Sequence, residues 1–233
     1  MPVLNDGLKI GGMTPLSTID FPGRLATVLY TQGCPLRCRY CHNPELQAYG
    51  EATLIPWQKV FQWLLTRRGL LDGVVFSGGE PVTQPRLGEA LAAIRQIGFE
   101  TAIHTAGASP YHLVELLPLL NWIGMDIKAP FDRYAVVTGV VHSGEKARAS
   151  VAAILAHGVE HEFRTTVHPG LLSTDDLLSI ARTLRSLGIN RWVLQEFRPH
   201  GCTDRELLDQ PSRPVTPEVL AALRQFVPDI TLR

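Results

Sequence analysis

The sequence predicts a single-domain α/β protein built on a parallel sheet. Short runs rich in β-branched and aromatic residues alternate six times with longer amphipathic runs. The chain has 233 residues, 45% of them hydrophobic, which is enough for one sizeable core. No repeat, low-complexity tract or linker divides it.

The short runs cover residues 25–31, 73–76, 100–105, 122–127, 161–167 and 192–197. Their apolar character suits strands buried on both faces. Helices are expected over 57–68, 84–96, 110–119, 145–156 and 174–187. The last of these has Leu177, Leu178, Ala181, Leu184 and Leu187 at helical spacing, with Ser173 or Thr174 as N-cap. A final helix should start at Thr216-Pro217, with threonine capping and proline at the first helical position. Right-handed crossovers curl such a sheet toward a barrel or a doubly wound sheet. In either, active residues gather at the strand C-terminal ends. The expected core runs over 20–200, with a loop and helix over 201–233. Residues 199–217 read as a loop rich in proline and charge. The first twenty residues are expected to lie across the open side of the sheet.

The 22 basic and 22 acidic side chains cancel, so no strong field gathers nucleic acid. The opening residues lack the charged and apolar regions of a signal peptide. The most apolar stretches, near 113–125 and 151–159, are interrupted by Glu115, Pro118, Asn121 and His157, and are too short to span a bilayer. A soluble cytoplasmic protein with no membrane partner is expected.

Four cysteines in this length do not make a disulfide scaffold. Three fall within eight residues, in Gln32-Gly-Cys34-Pro-Leu-Arg-Cys38-Arg-Tyr-Cys41-His-Asn-Pro44, directly after the first expected strand. Cys202 stands apart, and nothing in the sequence explains it. Three thiolates spaced Cys-x3-Cys-x2-Cys can wrap one small cluster. A 4Fe–4S cube normally takes four thiolates, so three leave one iron open to a small molecule. A structural zinc site would need a fourth nearby ligand. His42 adjoins Cys41 and chelates the same ion poorly, while Cys202 would have to close the site from afar.

Three further strand ends carry polar residues. The second strand ends in Phe76-Ser-Gly-Gly-Glu80-Pro81. Its glycines let backbone approach a ligand, and Glu80 can accept from an ammonium, although alone the segment reads as a turn. The fourth ends in Met125-Asp126-Ile-Lys128, whose two charges share one strand face. Alone, that pair reads as a salt bridge at a sheet edge. The third ends in His104-Thr105-Ala106-Gly107. His104 is either a polar group near a cofactor or a hydrogen-bonded strand-end histidine.

Cys-x3-Cys-x-aromatic-Cys, with Tyr40 as the aromatic, resembles the signature of the radical S-adenosylmethionine superfamily. The resemblance implies a partial (β/α)6 TIM-like barrel and two cofactors, a 4Fe–4S cluster on Cys34, Cys38 and Cys41, and S-adenosylmethionine on the open iron. It implies reductive cleavage to a 5′-deoxyadenosyl radical. Gly78, Gly79 and Glu80 match the segment that binds the amino group of S-adenosylmethionine in that family. Asp126 and Lys128 match an Asp-x-Lys of the glycyl-radical enzyme activases. By the same resemblance Tyr40, His42, Arg164 on the fifth strand and His200 in Phe197-Arg-Pro-His200 join the cofactor site. Related activases often carry Asp or Glu, then Thr-Asn-Gly, where this chain has His104 and Ala106.

Two flanking features narrow the resemblance. Ser17-Thr-Ile-Asp20-Phe-Pro22-Gly23-Arg24 precedes the first strand, and His42-Asn43 follows the third cysteine. Together they resemble the activating proteins of anaerobic ribonucleoside-triphosphate reductase. That implies abstraction of an α-hydrogen from a glycine of a large partner, fed by a flavodoxin- or ferredoxin-type electron donor. The extra cysteine clusters of some activases are absent. An activase of the pyruvate formate-lyase type, a radical enzyme acting on a small molecule, and a non-catalytic metal module or electron carrier are the alternative readings.

Overall fold

The computed structural model describes residues 8–50, 54–210 and 215–233. One sheet holds eight strands in chain order: β1 (Ile10–Ser17), β2 (Ala26–Thr31), β3 (Gly73–Gly78), β4 (Glu100–Thr105), β5 (Trp122–Asp126), β6 (Glu160–Val167), β7 (Arg191–Glu196) and β8 (Asp229–Leu232). From β2 to β8 every neighbouring pair is parallel, and β1 runs antiparallel to β2. Among the described residues β1 and β8 do not pair, so the curved sheet stays open.

The crossovers carry α1 (Trp57–Leu65), α2 (Leu87–Gln96), α3 (Pro110–Leu116), α4 (Tyr134–Thr138), α5 (Ser143–His157), α6 (Thr174–Ser186), α7 (Arg205–Asp209) and α8 (Pro217–Arg224). Local chemistry sets several starts. Ser173 and Asp176 form a reciprocal capping box on α6. Thr216 caps α8 by accepting from the Val219 N–H, with Pro217 at the first position.

Two apolar layers follow from the sheet. Residues such as Leu29, Phe76, Ile103 and Ile123 pack against Leu91, Ile94 and Leu113 of the helices. On the other side Ala26, Val28, Val75, Ala102 and Trp122, from the first halves of their strands, close around Phe21. That plug fills the N-terminal end of the barrel. The cavity lined by polar side chains lies at the C-terminal end. No helix among the described residues is long and apolar enough to cross a membrane.

The six expected parallel strands are present, with ends shifted by a residue or two. The expectation for the first twenty residues needs correcting. Residues 1–7 lie outside the described set, and 10–17 form the antiparallel edge strand β1. Gly11, Gly12 and Pro15 hide that strand in the sequence, and irregular register at two points lets them fit. The stretch 201–233 is also more ordered than a loop and one helix. It holds α7, too short for a periodic signal, and β8, which extends the sheet beyond 200.

At the β8 edge, Arg233 clamps the buried Glu162 carboxylate through two hydrogen bonds, 3.0 and 2.9 Å. Arg233→Ala leaves that carboxylate unpaired and should destabilise the chain by about 1–3 kcal/mol. A lowered urea midpoint would report this, with partial recovery when Glu162→Gln is added. An unchanged midpoint in Arg233→Ala would contradict it.

Candidate active site at the C-terminal end of the barrel

A cavity of about 690 Å³ opens at the C-terminal ends of the strands. Cys34, Cys38 and Cys41 line it, with Gly78 and Gly79, Glu80, Asp126, Lys128 and Arg164 around them. The structure thus gathers nearly every site residue expected from the sequence. Tyr40 and His42 line it as well, whereas His200 is exposed and stands outside the lining. Arg198, two residues earlier, faces the cavity instead.

The cysteine loop leaves β2 without regular structure, and side chains hold its two ends. Gln32 donates to the carbonyls of Glu45 and Ala48, at 2.9 and 2.7 Å. Gln84 donates to the Gln32 carbonyl. Cys34 is buried, and Cys38 and Cys41 are half-buried. Burial, helped by the nearby Glu80, pushes the Cys34 thiol up to about 12. Burial also raises Cys38. These thiols hold their protons until a cation displaces them, as metal-ligating thiols do. Among the described residues no three His, Cys, Asp or Glu side chains converge on a single metal ion. All three thiols line the one cavity.

The turn after β3 runs against the root of this loop. The Gly79 N–H donates to Thr31, and the Glu80 N–H to Gly33. A Cβ on Gly79 would lie 2.3 Å from the Gly33 carbonyl oxygen, so only glycine fits. Gly78 adopts a φ of +95°, and its Cβ would meet the Thr31 nitrogen at 2.6 Å. Glu80 is buried and accepts from the Thr105 hydroxyl at 2.5 Å and the Ala106 N–H at 2.8 Å. Burial raises its carboxyl to about 6 against those bonds, which favour the charge. Thr105, to which the sequence alone assigns no role, lines the cavity and holds Glu80. Ala106 contributes backbone only, so the loss of an amide side chain there leaves this contact intact.

Strand β6 and the end of β5 supply a charge chain in which Arg164 and Lys128 are buried and Asp126 is half-buried. Arg164 Nε lies 3.0 Å from Asp126 Oδ1, and Lys128 Nζ lies 3.4 Å from Asp126 Oδ2. Lys128 Nζ also reaches the Tyr40 hydroxyl at 3.3 Å. Burial alone would raise Asp126, but Arg164 and Lys128 outweigh it and hold the carboxyl below its ordinary range. Burial opposes the Lys128 charge, yet Tyr40, Cys38 and Asp126 keep its pKa well above the ordinary lysine value. Gly124 makes room for this arrangement, since a Cβ there would meet Arg164 Nη1 at 2.8 Å.

His104 is a hydrogen-bonded strand-end histidine that also faces the cavity. Its Nε2–H donates to the Asp20 carbonyl at 2.9 Å, and Nδ1 lies 3.5 Å from Ser77 Oγ. Burial, with Arg164 nearby, lowers its pKa to about 4. The ring is therefore neutral near pH 7, and its 3.9 Å approach to Asp20 Oδ1 is not an ion pair. The bond ties the 17–22 segment to β4, and Thr18, Asp20 and Pro22 join the cavity wall.

A model of the radical SAM superfamily matches residues 28–184 of this chain. The chain belongs to that superfamily. Radical SAM proteins use a 4Fe–4S cluster and S-adenosylmethionine. A relative from Methanocaldococcus jannaschii, named provisionally as a glycyl-radical enzyme activating enzyme, is 26% identical and aligns over 96% of this chain and 95% of its own. The pyruvate formate-lyase-activating enzyme of Clostridium pasteurianum is 34% identical over 137 residues, 56% of this chain and 57% of that one. In fold, the chain is similar to Streptococcus suis SuiB bound to S-adenosylmethionine, with a TM-score of 0.67 at 15% identity, over 88% of this chain and 49% of SuiB. The donor chemistry of the cavity fits the superfamily's cofactors: soft thiols on one wall, a buried carboxylate and buried cations on the others.

Glu80 gives the cluster-free protein a pH signature. Its folded pKa of about 6 exceeds the ordinary value of 4.5, so the folded state holds a proton that the unfolded chain has released. Its contribution to stability therefore falls as pH rises from about 4.5 to about 6, by roughly 2 kcal/mol. Urea midpoints should trace this loss, and Glu80→Gln should remove it. A variant that keeps the full wild-type slope would sink the assignment.

Proposed function

We propose that this chain is a glycyl-radical enzyme activase whose partner is anaerobic ribonucleoside-triphosphate reductase. One observation carries the reading. Three thiols, the Gly79-Glu80 turn and the Arg164–Asp126–Lys128 chain meet at one cavity in a sheet that never closes. The open side gives a partner's glycine loop a way in. The end-to-end alignment with the Methanocaldococcus relative supports the activase class. The Asp20-x-Pro22-Gly23 and Cys41-His42-Asn43 segments support the reductase as partner.

In this reading Cys34, Cys38 and Cys41 hold the cluster and leave one iron free. When bound, the cluster and S-adenosylmethionine would supply, on taking up one electron from a flavodoxin- or ferredoxin-type donor, methionine and a 5′-deoxyadenosyl radical able to take an α-hydrogen from the partner glycine as 5′-deoxyadenosine. Glu80, held ready by Thr105 and Ala106, accepts from the ammonium of S-adenosylmethionine. At about 6, Glu80 is already largely ionised at neutral pH, and that ammonium would lower it further. Arg164 and Lys128 share Asp126, so the pair carries one positive charge in excess for the cofactor carboxylate. Gly78 and Gly79 let this turn pack on the root of the cysteine loop, which sets Glu80 at the cavity wall. Tyr40 orders the loop through its bond to Lys128. The apolar plug below keeps water from the floor of the site.

A partner of the pyruvate formate-lyase type is the second reading, favoured by the 34% identity to the Clostridium enzyme. One experiment separates them. Anaerobically reconstituted and reduced protein should convert S-adenosylmethionine to 5′-deoxyadenosine, and Cys38→Ala should not. Adding the anaerobic reductase should give a glycyl doublet by electron paramagnetic resonance. A doublet with pyruvate formate-lyase alone would transfer the assignment to the second reading. No 5′-deoxyadenosine above the Cys38→Ala control would overturn both.

A further inference from the structure

Arg39 sits between Cys38 and Cys41, and the chain holds it on every polar side. Its N–H donates to the Val137 carbonyl. Its carbonyl accepts from the Cys202 thiol at 3.5 Å. Its guanidinium grips Asp204 through two bonds, Nε to Oδ2 at 2.6 Å and Nη2 to Oδ1 at 3.2 Å. Nη2 also reaches Glu206 at 2.7 Å. These last partners lie about 165 residues away along the chain.

The contacts continue on both sides. Gly201, with φ of +81°, packs so closely on the next turn of the loop that a Cβ would lie 2.0 Å from the His42 carbonyl oxygen. The Phe197 ring lies 6.0 Å from the His42 ring. Asp204 serves twice, since its Oδ1 also caps α7 by accepting from the Leu207 N–H. The segment after β7 is thereby anchored by its own helix while it grips the loop.

We propose that residues 197–209 form a clasp on the cysteine loop, and that Arg39 and Asp204 are positioning residues for Cys38 and Cys41. The loop lacks regular structure between Cys34 and His42, so its shape comes from outside ties. A bidentate Arg–carboxylate pair fixes direction as well as distance. Fixing Arg39 fixes the turn in which the Cys41 N–H donates to the Cys38 carbonyl. Both thiols then arrive at the cavity already oriented. Groups that orient metal ligands commonly change metal retention by about 10- to 100-fold. The clasp also accounts for Cys202. Its buried thiol is spent on the Arg39 carbonyl and is not a cluster ligand.

The inference rests on the cysteine loop holding the cluster and is independent of which partner is activated. The test is the rate at which anaerobically reconstituted protein loses iron to a chelator, followed by the visible absorbance of the cluster. Asp204→Asn keeps an acceptor to cap α7 while removing the charge. Arg39→Ala and Asp204→Asn should lose iron about tenfold faster than wild type. Arg39→Lys should fall between, because an ammonium cannot reproduce the fork. Cys202→Ser, which keeps a donor, should lose iron at the wild-type rate. Arg24→Ala breaks the Arg24–Glu100 pair on the opposite end of the barrel and should change nothing. Melting temperatures of the metal-free Arg39→Ala and Asp204→Asn proteins should stay near wild type, which a general loss of stability would not allow. Wild-type iron loss in both Arg39→Ala and Asp204→Asn would overturn the clasp. Rapid loss in Cys202→Ser alone would also overturn it, by making Cys202 a ligand. Wild-type protein that takes up no iron would instead overturn the cluster reading itself.

Discussion

Asp126 is the point on which the site depends. Its half-buried carboxylate sits between the buried Arg164 and Lys128. A buried carboxylate without a partner would protonate, and a buried lysine would lose its charge. Each ion here is stable because the others are present. The arrangement binds β5 to β6 and, through Lys128 and Tyr40, to the cysteine loop. Two cations on one anion leave the wall positive. Three thiolates would bring negative charge to the facing wall, and in the metal-free protein burial keeps at least Cys34 and Cys38 protonated instead. The same logic governs Glu80, raised to about 6 until a cation meets it. Binding of positive groups there would release the thiol protons.

The parallel sheet decides where this chemistry stands. Parallel neighbours align their C-terminal ends, so residues far apart in sequence come together along one rim. Thr31, Gly78, Thr105, Asp126, Val167 and Glu196 each end a strand. The opposite end is sealed by Phe21, Trp122 and their apolar neighbours. One connection spans the two ends. Phe21 enters the plug, while Asp20, one residue earlier, receives the His104 bond at the cavity wall. The segment before β2 is thus held at both ends and forms part of the site.

Openness and order are divided between different parts of the chain. Among the described residues the sheet leaves β1 and β8 unpaired, with a gap between them. The cysteine loop next to that gap has little structure of its own. It is held by Gln32 and Gln84 at its root, by Lys128 from within the barrel, and by Arg39 and Asp204 from the C-terminal segment. Tertiary contacts do for this loop what a helix or strand would do elsewhere.

The sequence by itself determined the features that are local. Six buried strands showed as short β-branched runs, and the α6 and α8 caps as Ser173 and Thr216. The cysteine spacing, the Gly-Gly-Glu turn and the Asp126/Lys128 pair each lie within a few residues, so each is legible as a local motif, although the shape of the cysteine loop is not. Arg164 was expected at the site through the resemblance, and its pairing with Asp126 comes from the neighbouring strand. Only the tertiary structure decided the rest. The edge strands β1 and β8 lack the pattern of buried strands, because glycines and a proline interrupt one and the other has four residues. Thr105, Gly124 and Asp20 matter through what lies across the barrel from them, which no window of sequence contains. His200 turned outward while Arg198 faced the cavity, a choice made by the loop after β7. Arg39 and Asp204 meet across most of the chain's length, and a contact at that separation leaves no periodic trace in either segment.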